Sequence, residues 1–146
     1  MLPISALIRG GSTVWTVSPD DTVLDALNIL AERNIGVVPV VHSGNLVGIF
    51  SERDYTRRVG LLGRSAKTTL ISEVMTENVQ TVNPDESIDE CMQIVVSKGF
   101  RHLPVVRAGE LIAVVSANDL LAQVIRSKEM EIGSLESLLS GVGEIT

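Results

Sequence analysis

The second half of the sequence repeats the first at one constant offset, and this repeat limits the folds open to the chain. Residues 14–59 align with residues 79–124 without a gap, and 14 of the 46 aligned pairs are identical. Self-similarity at a fixed offset is the mark of a duplicated structural unit. We therefore expect two copies of one fold, related by a pseudo-twofold axis.

Each copy has the pattern of a β-α-β-β-α unit. A short apolar strand, 14–17 in the first copy, precedes a turn and an amphipathic helix with apolar residues at i, i+3, i+4 and i+7. Two apolar runs follow, 37–41 and 46–50, at hairpin spacing with Gly44 between them. A serine and an acid three residues later then open a second helix, as in a capping box. The pairs are Ser51 with Asp54 and Ser116 with Asp119.

These units predict an α/β (α+β) fold in which the two copies pack through their sheets, because two helices cannot cover both faces of a three-stranded sheet. Such packing would leave paired clefts between the copies. The expected boundaries are a first unit over 1–62 with the N-terminal segment, a linker over 63–73, a second unit over 74–126 and an amphipathic tail over 127–146. The apolar side of this tail and of the short helices predicts a homodimer.

Composition excludes several classes of partner and site. A net charge of −6 and an aromatic content of 3% argue against nucleic acid, which needs basic surfaces and stacking platforms. The single cysteine, Cys91, excludes an internal disulfide and the Cys-rich zinc patterns, and the two histidines have no ligand spacing, so no metal is expected. The sequence has no apolar run of membrane-spanning length and no signal peptide, so no membrane partner and a cytoplasmic location are predicted.

The Ser-x-x-Asp motifs allow two interpretations. A serine at a helix N-cap lies beside free backbone N–H groups, which can bind a phosphate, and an aspartate one turn later can accept hydrogen bonds from ribose hydroxyls. A glycine such as Gly48 would let the ligand approach the backbone. The alternative is that both motifs only cap helices.

The segment Gly48-Ile-Phe-Ser-Glu-Arg-Asp54, with its second copy at the repeat offset, resembles the nucleotide signature of CBS domains, named from cystathionine β-synthase. The resemblance covers about residues 12–125. These domains occur as tandem pairs, and this chain looks like the short stand-alone pairs without a fused catalytic domain. The resemblance implies that a nucleotide binds between the two copies.

The resemblance assigns one nucleotide site to the first motif, completed from the second copy, where Arg101 and His102 would face the phosphates. Arg53 and Lys67 are further candidate phosphate contacts, because residues 53–67 hold five basic residues and one acid. The residues of this first site are Gly48, Ile49, Ser51, Arg53, Asp54, Lys67, Thr81, Phe100, Arg101 and His102.

A second site is assigned to the second motif and is expected to be the weaker one. Ala113 stands where the first motif has glycine, and no basic pair faces the site. Its residues are Thr16, Ile35, Gly36, Val37, Ser116 and Asp119.

The resemblance thus implies a regulatory module that binds AMP, ADP or ATP, with NADH or S-adenosylmethionine as further possible ligands, and alters an unknown partner protein. A ligand-independent dimerisation scaffold is the alternative. No enzyme activity and no catalytic cofactor are expected, since the sequence pairs no nucleophile with a base.

Overall fold

The computed structural model describes residues 2–8 and 14–145, with side chains through residue 139. The predicted first unit therefore includes residues 1 and 9–13, which lie outside the described residues. After a 3-10 turn at Ile4–Leu7, the elements are α1 (Val23–Arg33), β1 (Val37–His42), β2 (Asn45–Ser51), α2 (Glu52–Tyr55) with a π-helical turn (Thr56–Gly60), α3 (Ile71–Val74), α4 (Ile88–Lys98), β3 (His102–Arg107), β4 (Glu110–Ser116) and α5 (Ala117–Ile145).

The structure confirms the duplication. α4, β3 and β4 begin and end at the residues that the repeat aligns with the ends of α1, β1 and β2. Each hairpin turn has two residues, and both have positive φ, with 51° and 82° at Ser43 and Gly44 and 51° and 84° at Ala108 and Gly109. Two left-handed residues in succession match a type I′ turn, whose twist fits that of the flanking strands. The two copies therefore use the same type of two-residue turn and form the same hairpin.

Two predicted elements differ from the structure. The strand at 14–17 is only a single parallel bridge, Val17 to Val40, in which the N–H of Val17 donates to the carbonyl of Pro39 at 3.0 Å. The tail predicted from residue 127 is also not a separate helix, because α5 continues from the second unit through it. Residues 117–132 contain no glycine or proline to end the helix.

The two hairpins form one four-stranded antiparallel sheet in the order β1-β2-β4-β3. They meet at one pair of residues, Asn45 and Glu110, at the start of each second strand. Each hairpin packs under its own helices, which produces two hydrophobic clusters. The fold is therefore a mixed helix and strand structure built from two units, as the repeat predicts.

The segment before each unit packs on the other unit. Ile4 is fully buried in the second cluster, and its N–H donates to the carbonyl of Glu86 at 2.7 Å. Ile71 and Val74 are buried in the first cluster, and the N–H of Ile71 donates to the carbonyl of Asp21 at 2.9 Å. The packing therefore crosses the predicted unit boundaries. The N-terminal segment belongs to the second core, and residues 71–74 belong to the first.

Candidate functional site

The first motif is a complete capping box at the start of α2. The Ser51 backbone N–H donates to Asp54 Oδ2 at 2.9 Å, and the Asp54 backbone N–H donates to Ser51 Oγ at 3.1 Å. The Ser51 hydroxyl also donates to Asp54 Oδ2 at 3.0 Å. The serine and one oxygen of the aspartate are therefore engaged with each other.

The segment Val74–Thr76 lies over this first motif. Thr76 Oγ1 donates to the second carboxylate oxygen of Asp54 at 3.2 Å. Ile49 and Thr76 exchange two backbone hydrogen bonds, of 3.0 and 2.9 Å. Arg58 Nη1 donates to the carbonyls of Val74 and Met75 at 3.0 and 2.9 Å. The chain itself thus occupies the polar groups that the sequence assigns to a ligand.

The close approach of this segment explains Gly48. A Cβ atom at this position would lie 2.8 Å from Met75 Sδ and 2.8 Å from the carbonyl oxygen of Thr76. Both distances are shorter than the contacts that real Cβ atoms make. Glycine is required here by the protein's own backbone.

Four of the five basic residues near the first motif divide into two groups. Arg58 binds the carbonyls described above, and Arg64 forms an ion pair with Glu73 at 3.2 Å, so both hold the segment that leads to the second unit. Arg53 and Lys67, the predicted phosphate contacts, are exposed. Their assignment to a ligand stays a prediction.

The second motif borders an open cavity of about 680 Å³. The Ser116 backbone N–H donates to Asp119 Oδ2 at 3.2 Å, and the Asp119 backbone N–H donates to Ser116 Oγ at 3.0 Å. No described side chain donates to the other carboxylate oxygen of Asp119. The opposite wall comes from the first unit and includes the predicted residues Ile35, Gly36 and Val37. Thr16 is exposed, and its neighbours Val14 and Trp15 line the cavity in its place.

His102 lies at the second motif and not, as the sequence grouping expects, with Ser51. It is the cross-strand partner of Ser116, and it lines the same cavity. The carbonyl of Arg101 accepts a hydrogen bond of 2.8 Å from the N–H of Ala117, which ties Arg101 to the start of α5 as well. The Arg101 side chain and Phe100 are exposed, and Thr81 is half-buried. The antiparallel register decides this grouping, since the first residue of each hairpin lies opposite the last.

The surroundings of His102 favour its neutral form. Burial lowers the pKa of the imidazole, Asp119 opposes this by raising the pKa, and Arg101 lowers it further. Removing water from a histidine disfavours its charged form. A neutral imidazole beside Ser116 can accept or donate a hydrogen bond, and it can be protonated when an anion enters the cavity.

Two cavity residues with a charged or aromatic side chain, Arg126 and Trp15, are absent from the predicted site residues. Arg126 and Ala122 follow Asp119 on the same face of α5, at i+7 and i+3. The helical spacing would reveal Arg126 only if α5 were known to continue through residue 126. Trp15 is the other omission, because the sequence interpretation points to the adjacent Thr16.

Comparison with known proteins decides the family. The CBS domain family matches residues 12–60 and 71–126, which is most of the chain. The chain belongs to the CBS-domain family. The mitochondrial CBS domain-containing protein CBSX3 of Arabidopsis thaliana is 35% identical over 136 residues, which cover 90% of this CBS pair and 66% of the plant protein. The CBS pair thus spans slightly less than two thirds of that relative.

Solved CBS structures share the fold. A CBS-domain protein from Burkholderia ambifaria is 39% identical and superposes with a TM-score of 0.79. The match covers 86% of this chain and 95% of the Burkholderia chain. CBSX2, solved in complex with AMP, superposes with a TM-score of 0.75 at 22% identity, covering 88% of this CBS pair and 99% of CBSX2.

In the described part of this CBS pair, no helix has the length and apolar character needed to cross a membrane.

Proposed function

We propose that this CBS pair is a regulatory module that binds an adenine nucleotide in the cavity beside Ser116 and Asp119. One observation carries the proposal: the cavity is lined by the motif of one unit and by residues 34–37 of the other. Its volume of about 680 Å³ lies within the range of small-molecule sites. The AMP complex of CBSX2, which has the same fold, supports the ligand class.

The cavity residues suit the parts of a nucleotide. Ser116 at the N-cap and the cationic Arg126 would bind the phosphate, with His102 as a further donor. Asp119 would accept hydrogen bonds from the ribose hydroxyls. Because the ligand would touch both units, it would favour one relative arrangement of the two and so alter a partner's activity. The module is proposed to bind the nucleotide without converting it.

The first motif is proposed as the weaker of the two sites, which reverses the order expected from the sequence. A ligand there would compete with Thr76 for Asp54 and would have to displace the segment Val74–Thr76. The helix-cap interpretation therefore gains support at Ser51 and Asp54, and a ligand-independent scaffold remains the second candidate function.

Calorimetric titration with AMP, ADP, ATP, NADH and S-adenosylmethionine tests these proposals. We expect Asp119→Ala to weaken binding at least about tenfold, the effect of losing one charge-assisted hydrogen bond. Asp54→Ala is the matched control, because it removes the equivalent residue of the other copy. Binding that is lost in Asp54→Ala and kept in Asp119→Ala would assign the ligand to the first motif. Failure of every compound to bind would favour the scaffold.

We also propose that the chain is a homodimer that associates through α5. Five of the seven exposed large apolar side chains described in this helix follow the alternating spacing of four and three residues that is typical of a coiled-coil seam, with Lys128 at one seam position. A second copy of the same stripe would cover them. They are Leu121, Ile125, Ile132, Leu135 and Leu139.

The mass of the particle in solution, measured by light scattering after size exclusion, tests the dimer. We expect twice the chain mass for the natural protein and a monomer for the double variant Ile132→Glu and Leu135→Glu, because two charges would then lie in the seam. Met130→Glu is the control, since Met130 is 73% exposed on the outer side of the helix. A monomeric natural protein, or a dimer that survives the double substitution, would contradict the proposal.

A further inference from the structure

Trp15 is held against the end of α1 at the edge of the cavity. It lines the cavity, is 39% exposed, and is the chain's one tryptophan. The guanidinium carbon of Arg33 lies 3.6 Å from the centroid of the indole ring. A cation at this distance over a tryptophan face is an attractive contact that fixes the ring. Arg33 covers one face of the ring, and the residue remains partly exposed where it lines the cavity.

The equivalent positions of the second copy show which part of this arrangement is structural. The repeat aligns Gln80 with Trp15 and Lys98 with Arg33, and Lys98 Nζ donates to Gln80 Oε1 at 3.1 Å. In both copies, a cation from the last turn of the helix therefore holds the residue that leads into the unit. This contact between the helix and the preceding segment occurs in both copies. The aromatic ring is present only where the residue lines the open cavity.

We propose that Trp15 is the surface on which the base of the bound nucleotide stacks, with Arg33 as its positioning residue. This inference rests on the proposed function and adds a recognition element that the motif residues do not supply. Ser116, Asp119 and Arg126 are polar and suit the ribose and phosphate, whereas Trp15 supplies a wide apolar face for the base. Every base has a π face, so this contact favours nucleotides over sugar phosphates and does not by itself select adenine.

Tryptophan fluorescence measured during AMP titration is the direct test. We expect AMP to change the emission of Trp15, and the fluorescence curve to give the same affinity as calorimetry. Trp15→Gln, which installs the residue of the second copy, should weaken AMP binding about five- to 150-fold, the range for loss of one stacked base. Trp15→Phe keeps an aromatic face and should therefore retain most of the natural protein's affinity for AMP. Gln80→Ala changes the equivalent position of the other copy and should leave the affinity for AMP unchanged.

The outcomes separate this inference from the function on which it rests. If calorimetry detects no binding of AMP or of any of the other four compounds to the natural protein, the proposed function fails and the inference fails with it. If AMP binds without changing the Trp15 emission and Trp15→Gln binds it normally, only the stacking role is overturned. A loss in Trp15→Phe as large as that in Trp15→Gln would also overturn stacking, because it would show that the shape of the indole and not its aromatic face is needed.

Discussion

Val37 and His102 occupy equivalent positions in the two copies, and the difference between them sets the chemistry beside the two serines. Each is the first residue of its hairpin and lies opposite the serine that ends the hairpin, Val37 opposite Ser51 and His102 opposite Ser116. Val37 is apolar and buried, whereas His102 is a half-buried titratable group. The second motif therefore has a proton-binding neighbour that the first motif lacks.

This arrangement predicts a pH dependence of AMP binding. A phosphate beside His102 would favour the imidazolium and raise its lowered pKa, so binding should take up a proton and tighten as the pH falls toward 6. Calorimetry between about pH 8 and pH 5.5 measures the affinity, with an expected gain of at most about tenfold per pH unit. The phosphate of AMP titrates in the same range, so His102→Gln is the reference. Identical pH profiles for the two proteins would show that His102 does not contact the anion.

The same lowered pKa has the opposite effect on the unliganded protein. A histidine whose pKa is depressed by folding stabilises the fold above its unfolded pKa of 6.5, and this contribution is lost as the pH falls below that value. Protonation therefore weakens the empty protein while it strengthens binding. The ligand should accordingly raise the unfolding temperature more at pH 6 than at pH 8.

At the scale of elements, the segment Val74–Thr76 distinguishes the two motifs more than their sequences do. Both motifs form capping boxes in which the same two backbone N–H groups donate to the aspartate and the serine side chains. The first is covered by this segment, while the second faces the cavity. Gly48 and Ala113 reflect this difference, since the segment leaves no room for a side chain at residue 48.

Gly48→Ala should therefore destabilise the fold by about 1–3 kcal/mol, the usual cost of an added carbon in a packed site. The new methyl group would push Met75 and Thr76 away and weaken the two hydrogen bonds between Ile49 and Thr76. Urea unfolding measures the change. Gly133→Ala is the control, because a Cβ there meets nothing within 4 Å and alanine favours the helix. Equal unfolding midpoints for Gly48→Ala and the natural protein would show that the segment moves freely.

At the scale of the whole molecule, the exchanged segments fasten the two units together. Pro3 pairs with Ser87 and Leu70 pairs with Thr22, so each segment bridges to the start of the other unit's first helix. Thr22 and Ser87 are themselves equivalent positions of the repeat. The pseudo-twofold relation therefore extends to the connections as well as to the units.

Ile4→Ala should destabilise the second unit although residue 4 precedes the first. Ile4 is fully buried among residues of the second core, and removing most of a buried isoleucine costs about 2–5 kcal/mol. The free energy of unfolding in urea gives the magnitude. Leu2→Ala is the control, since Leu2 is 48% exposed and such surface changes shift stability by about 0.5 kcal/mol or less. Equal losses in the two variants would contradict the packing of Ile4.

The sequence alone determined the features that depend on neighbouring residues. The duplication, the two hairpins with Gly44 and Gly109 in their turns, the amphipathic α1 and α4, and both capping boxes follow from local periodicity and hydrogen bonding. Only the tertiary structure decided which motif is covered, where His102 lies, and how far α5 extends. These depend on strand register and on contacts between distant segments, such as Thr76 with Asp54, which the matching Ser-x-x-Asp motifs of the two copies do not reveal. Local patterns fix each unit because its hydrogen bonds close within a few residues, whereas the open cavity arises where the two units meet.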